Sequence, residues 1–163
     1  MKKEEDVLAS IKNCFFDVEE RLYKKWIENL EIKSVDEDNI VLIAYSKKQK
    51  EVIEMLKYMF EWYNFKISKI EVIEESIGEE EIDFDKDEVL LIVKSMLKNE
   101  IESIVYNTWI KNLEIDSMDE EKIILIVYSD KQKDAIEKRF NDLLFYTFKY
   151  VTKKEKKIEA ILK

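Results

Sequence analysis

Residues 26–54 read WIENLEIKSVDEDNIVLIAYSKKQKEVIE, and residues 109–137 read WIKNLEIDSMDEEKIILIVYSDKQKDAIE. Laid over one another at a shift of 83 residues, the two segments agree at 19 of 29 positions without a gap. Biased composition does not produce that agreement in a single register, so the chain reads as an internal repeat. The repeat predicts two copies of one small module, residues 1–77 and 89–163, joined by residues 78–88. Gly78, the only glycine, opens the run Glu79-Glu80-Glu81-Ile82-Asp83-Phe84-Asp85-Lys86-Asp87-Glu88. Formal charge divides as −4 over 1–77, −6 over 78–88 and +1 over 89–163, which sums to the −9 of the chain. Mutual repulsion and few apolar anchors make that middle run an expected exposed linker.

Working outward through the second copy, Val89, Leu90, Val93, Met96 and Leu97 recur at the helical period behind Asp85 and Asp87, acids suited to a helix N-terminus. Ile101, Ile104, Val105, Thr108, Trp109 and Leu113 fall on one face of a second helix. Leu113 and Ile115 alternate with polar residues, Asp116–Lys122 reads as a turn, and the β-branched run 123–128 as a strand. Lacking glycine, the hairpin turn is expected to be longer than two residues. Ser129 is a candidate cap for a third helix carrying Ala135, Ile136, Phe140, Leu143, Leu144 and Phe148, and residues 158–162 close the copy as a strand. The first copy gives the same order, ending at Ile70-Glu71-Val72-Ile73, with a connection before its last strand about five residues shorter. The expected fold is α+β, two tandem α-α-β-β-α-β modules, with Trp26 and Trp109 as core plugs beside Leu30 and Leu113.

Composition removes whole classes of function. With no histidine, the usual general base and the commonest metal ligand are missing. One cysteine does not make a zinc site, and one glycine does not make a phosphate loop. No cofactor and no metal are expected, and no enzyme. Cys14, between Asn13 and Phe15, reads as a small core residue. Met1-Lys2-Lys3 runs straight into Glu4-Glu5-Asp6, unlike a secretory leader, and the longest apolar runs fall far short of the ~20 residues that span a bilayer. A cytoplasmic protein with no membrane partner is the expectation.

Tyr106-Asn107-Thr108-Trp109-Ile110-Lys111-Asn112-Leu113 resembles the second-helix signature of the N-terminal domain (domain I) of the bacterial replication initiator DnaA, an aromatic two residues before Thr-Trp-Ile and a leucine soon after. Ile136-Glu137-Lys138-Arg139-Phe140 resembles the charged, Arg-aromatic stretch of that domain's third helix. The resemblance takes in nearly all of residues 87–162, and reaches 5–74 through the repeat, where Tyr23 and Trp26 hold the equivalent places. It implies the family's α-α-β-β-α-β fold, related in shape to KH domains, with Tyr23, Trp26, Leu30, Tyr106, Trp109 and Leu113 as its core signature. It also implies a non-catalytic docking platform for the replicative helicase, regulators and other initiator molecules, with weak contact to single-stranded DNA. Nothing in the chain resembles the initiator's ATPase module or its helix-turn-helix domain. The family's docking positions carry different residues here. Leu22 and Val105 stand where several members have an acid, Lys48 and Lys131 where the third helix usually opens on an aromatic, and Val7 and Leu90 near a surface aromatic of the first helix.

Three surface features remain. Ser-Lys-Lys-Gln-Lys (46–50) and Ser-Asp-Lys-Gln-Lys (129–133) recur at a strand-to-helix junction, as a capped first turn or as a duplicated contact. Lys149, Lys153, Lys154, Lys156 and Lys157 form a basic run in the second copy only, readable as protection of an edge strand or as a nucleic-acid patch. Against the patch stand the net charge of −9 and the missing GXXG clamp of KH domains. Tyr58, Trp62, Tyr63 and Phe65, and Phe145, Tyr146, Phe148 and Tyr150, are too many aromatics for one helix face to hide, so some are expected to pack the modules together or to bind a partner, Trp62, Tyr63 and Tyr146 among them. The leading functional expectation is a non-enzymatic adaptor or mimic in replication control. A weak nucleic-acid-binding module is the alternative, and a self-associating pair of domains a third reading.

Overall fold

In the computed structural model, residues 2–15, 18–36, 39–58, 67–72 and 83–163 are described. The chain divides into two compact units, Met1–Asp83 and Phe84–Lys163. Trp62 and Tyr63, like Phe65, lie outside the described residues.

In the first unit, α1 (Lys2–Cys14) is followed by α2 (Glu20–Leu22), which continues as a π-helical turn, Tyr23–Ile27. Then come β1 (Glu31–Val35), β2 (Ile40–Ala44), α3 (Lys47–Leu56) and β3 (Ile67–Val72). The sheet runs β1-β2-β3, antiparallel in the first pairing and parallel in the second. A parallel neighbour needs a crossover, and α3 lies in it. Ile40, Leu42 and Ala44 point from β2 into a core shared with Ile11, Phe15, Ile27, Leu30, Val52, Ile53 and Leu56. Cys14 is buried and its thiol donates to the Ser10 carbonyl at 3.2 Å, the small core residue expected; burial pushes its pKa up.

The second unit contains α4 (Lys86–Glu100), α5 (Ser103–Val105) running into a π-helical turn Tyr106–Ile110, β4 (Glu114–Met118), β5 (Lys122–Val127), α6 (Asp130–Asp134), α7 (Asn141–Thr152) and β6 (Lys157–Leu162). Its sheet runs β4-β5-β6 with the same senses as the first. Ile123, Leu125 and Val127 of β5, with Ile158 and Ala160 of β6, face Val93, Leu97, Leu144 and Phe148 from α4 and α7, all buried. Each of these valine, leucine, isoleucine and phenylalanine side chains, fully buried, contributes about 1.5–3 kcal/mol. The architecture is α+β.

Several expectations change. The acidic run 78–88 is helix at its end: Phe84 is buried, and Asp85, expected as a helix-starting acid, forms a capping box with Glu88 that starts α4, Asp85 accepting from the Glu88 amide and Glu88 from the Asp85 amide. The acids are helix-starting groups rather than a solvated tether, because four orphan amides at a helix start want anionic acceptors. The turn expected at Asp116–Lys122 shrinks to Asp119–Glu121, since a bulge at Asp116 lets β4 run on to Met118. The single third helix is broken. After α6 the chain makes a π-helical turn, Ala135–Arg139, and Phe140 (φ −106, ψ 1) leaves the helix before α7 starts. Lys153, at φ 60, ends α7 in the left-handed conformation usually left to glycine.

Edge strand β4 is guarded from its own first helix. Lys86 donates to the Asp116 carbonyl at 2.8 Å, which covers a strand carbonyl with an ammonium group, and Lys94 donates to the Lys111 carbonyl, also at 2.8 Å, at the end of the second helix. In the first unit Lys12 donates to the Glu28 carbonyl at 2.6 Å.

Candidate interaction surfaces

The recurring Ser-X-Lys-Gln-Lys motif resolves into a clamp. Ser46 and Ser129 cap α3 and α6 by accepting from the Gln49 and Gln132 amides. The glutamine side chains then do the same thing in each unit. Gln49 accepts from the Tyr45 amide at 2.7 Å and donates to the Trp26 carbonyl at 2.9 Å. Gln132 accepts from the Tyr128 amide at 2.9 Å and donates to the Trp109 carbonyl at 3.0 Å. Both are buried. A π-helical turn leaves carbonyls out of the ordinary ladder, and a buried amide that both donates and accepts ties one of them to the strand end. The periodic identity of the glutamine is therefore structural. Its neighbours differ: Lys131 is exposed, whereas Lys48 is half-buried with its ammonium 6.0 Å from the Trp26 ring.

The tryptophans are not equivalent. Trp26 is buried and Lys25 also lies over its ring at 5.0 Å, an arrangement in which the quadrupole attracts the cation. Its indole nitrogen has no hydrogen-bond partner among the described residues. Trp109, expected in the core, is only half-buried. The cause lies in which edge of the second helix turns inward. The first unit buries Leu22, Trp26 and Ile27 and leaves Tyr23 half-exposed; the second buries Tyr106 and Ile110 and leaves Val105 and Trp109 half-exposed. Leu30 and Leu113 are buried in both. Leu22, a candidate contact by its position, is a core residue. Ile104, placed on the core face by periodicity, is 72% exposed. Thr108 is exposed too, and its hydroxyl donates to the Ile104 carbonyl at 2.6 Å. At the matching places of the first unit stand Arg21 and Lys25, both exposed.

Each unit has a shallow groove between its first helix and the start of its first strand. In the first it holds about 670 Å³ and is lined by Lys12, Lys25, Trp26, Asn29, Glu31 and Tyr45, among others. In the second it holds about 500 Å³, lined by Lys94, Lys111, Asn112, Leu113, Glu114 and Tyr128. Tyr128 donates its hydroxyl to Glu114, and the pair raises the phenol's pKa above its ordinary value; Tyr45 is raised in the same way by Glu31.

The basic run is largely internal. Lys149 pairs with Glu155, Lys154 with Glu120 at 2.6 Å and Lys157 with Glu159 at 3.0 Å. Lys156 is buried and donates to the Asp119 carbonyl. Lys153 lies over the Tyr150 ring at 4.7 Å. Lys154 and Lys156 fasten the α7–β6 connection to the β4–β5 turn, and the other three are held within α7, that connection and β6. On α7, Phe148 is core, Phe145 is half-buried and meets Tyr146 edge-on at 5.4 Å, and Tyr146 and Tyr150 are exposed.

Among the described residues no group of three or more His, Cys, Asp or Glu could hold a metal ion, and no helix is long and apolar enough to cross a membrane. Residues 88–149, which take in most of α4, the second helix and most of α7, are the part matched by the family model of the DnaA N-terminal domain.

Proposed function

We propose that this chain is a non-enzymatic docking adaptor of replication initiation, built from two DnaA N-terminal-like modules, with the second unit as its working half. The exposure of Ile104 beside half-buried Val105 and Trp109 carries the proposal. Ile104 at 72% exposure, with Val105 and Trp109 half-exposed on the same helix, leaves that helix a run of apolar surface open to solvent, and Val105 is one of the positions at which the resemblance places a docking contact. For a duplication speak the 83-residue register and the glutamine clamp, which has the same two side-chain partners, a tyrosine amide and a tryptophan carbonyl, in each unit. A cytoplasmic location fits that role. The internal pairing of Lys149, Lys154, Lys156 and Lys157 weighs against the nucleic-acid reading, because a phosphate would have to displace those partners.

The test is binding of the full chain, nuclease-treated, to purified bacterial DnaA and to purified replicative helicase, wild type against Ile104→Asp. Burying an isoleucine is worth about 1.5–3 kcal/mol, so the variant should lose about tenfold or more in affinity. Binding to neither protein, or equal binding by the variant, would overturn the reading.

A further inference from the structure

We propose that the solvent side of α7 is a further interaction surface, separate from the second helix, and that it takes an arginine of a basic protein segment, the guanidinium stacked on Tyr146 and paired with Asp142. α7 runs unbroken from Asn141 to Thr152 and turns Leu144, Thr147, Phe148 and Val151 inward. Its outward side carries Asp142 and Tyr146 one turn apart, about 5–6 Å between Cβ atoms. Tyr146 is 66% exposed, more than any other aromatic among the described residues. Half-buried Phe145 meets it edge-on at 5.4 Å, which steadies the ring at the surface. Asp142 is exposed, and its carboxylate meets no donor among the described residues. An acid in the first turn of a helix favours its start, but that explains the charge and not the bare aromatic one turn on. The same helix already makes half of such a contact, because Lys153 lies over the Tyr150 ring at 4.7 Å. Lys149, one turn beyond Tyr146, is drawn the other way by Glu155. A guanidinium suits the pair better than an ammonium, since a planar group can lie on the ring and fork to the carboxylate together. The net charge of −9 favours the approach of a basic segment over an acidic one or a nucleic acid.

The probe is a blocked nonapeptide, Gly-Ser-Gly-Ala-Arg-Ala-Gly-Ser-Gly, beside versions with lysine or citrulline in place of the arginine. Each is titrated into the isotopically labelled full chain and followed by amide shifts. The arginine peptide should move Asp142 and Tyr146 most, bind about threefold tighter than the lysine peptide, and lose its binding when citrulline removes the charge. Tyr146→Ala and Asp142→Asn should each weaken it about two- to fivefold, the worth of one exposed cation–ring or ion-pair contact. Tyr146→Phe keeps the ring and should keep the binding. Asp130→Asn removes an equal exposed charge elsewhere in the unit and should change nothing. All four replace exposed side chains, and Asp142→Asn and Tyr146→Phe preserve shape as well. Lysine or citrulline peptide binding as tightly as the arginine peptide, binding of none, shifts spread over the acids of both units, or an equal loss in Asp130→Asn would overturn the proposal. Larger shifts at Tyr146 from an oligothymidine than from the arginine peptide would also overturn it, in favour of stacked bases.

Discussion

Replacing Gln132 by alanine should weaken the second unit far more than any surface change. The side chain is 6% exposed and makes two bonds that nothing else can make, accepting from the Tyr128 amide and donating to the Trp109 carbonyl. A buried group left without a partner costs about 1–3 kcal/mol. Tyr128 is 47% exposed, so water recovers part of the cost on its side, whereas Trp109 is only half-exposed and its carbonyl recovers less. The sum comes to about 2–4 kcal/mol. Gln132→Glu separates the two bonds. Its carboxylate still accepts from Tyr128 but faces the Trp109 carbonyl with no proton to donate, so it should be at least as harmful as alanine at neutral pH. Burial raises the folded-state pKa of such an acid, so stability should recover as pH falls and the protonated carboxyl becomes a donor. The assay is native-state hydrogen exchange of the β5 amides, with urea unfolding at fixed m-value beside it. A loss below about 0.5 kcal/mol for Gln132→Ala, or a Gln132→Glu variant insensitive to pH, would refute the clamp.

Other consequences are as direct. Asp85→Ala removes the acceptor of the capping box and should cost about 1 kcal/mol in urea unfolding of the second unit, with fraying confined to the start of α4. Glu71 is held at about 2 by hydrogen bonds from Lys33 and Lys69, against an ordinary 4.5. The stability it contributes is complete above that ordinary value and is lost as pH falls through about 2; a carboxyl-carbon titration of Glu71 centred near 4.5 would contradict the network. Lys154→Ala and Lys157→Ala remove exposed pairs and should each change stability by less than about 1 kcal/mol. Lys156→Ala should cost more than either, since its buried ammonium spans to the Asp119 carbonyl.

Strands and the first helix of the second unit were legible because their signals are local. The run Ile123-Ile124-Leu125-Ile126-Val127 has no competing reading, and Val89, Val93 and Leu97 repeat at the helical period. The second helix was misread for a definite reason. A pattern read at 3.6 residues per turn put Ile104 and Trp109 inside, but the π-helical turn Tyr106–Ile110 adds to the spacing and turns Tyr106 and Ile110 inward instead. Charge had two readings in two places. Asp85 was legible as a helix-starting acid even inside the acidic run, but its reciprocal partner Glu88 was not, and the lysines of 149–157 could be edge-strand protection or a phosphate patch until Glu120, Glu155 and Glu159 appeared beside them. Those partners are distant in sequence or across a turn, so composition alone does not reveal them. The repeated glutamine was visible as a motif, but its purpose required knowing that Trp26 and Trp109 lie in π-helical turns and offer it their carbonyls.

The most direct test of the docking account is amide and indole shift mapping of the isotopically labelled full chain as purified bacterial DnaA, and separately the replicative helicase, is added. The account predicts that at least one of them perturbs Ile104, Val105, Thr108 and the Trp109 indole, and leaves Arg21, Lys25 and Trp26 unmoved. Perturbations gathered instead on Lys149–Lys157 or on the first unit, or none with either protein, would contradict it.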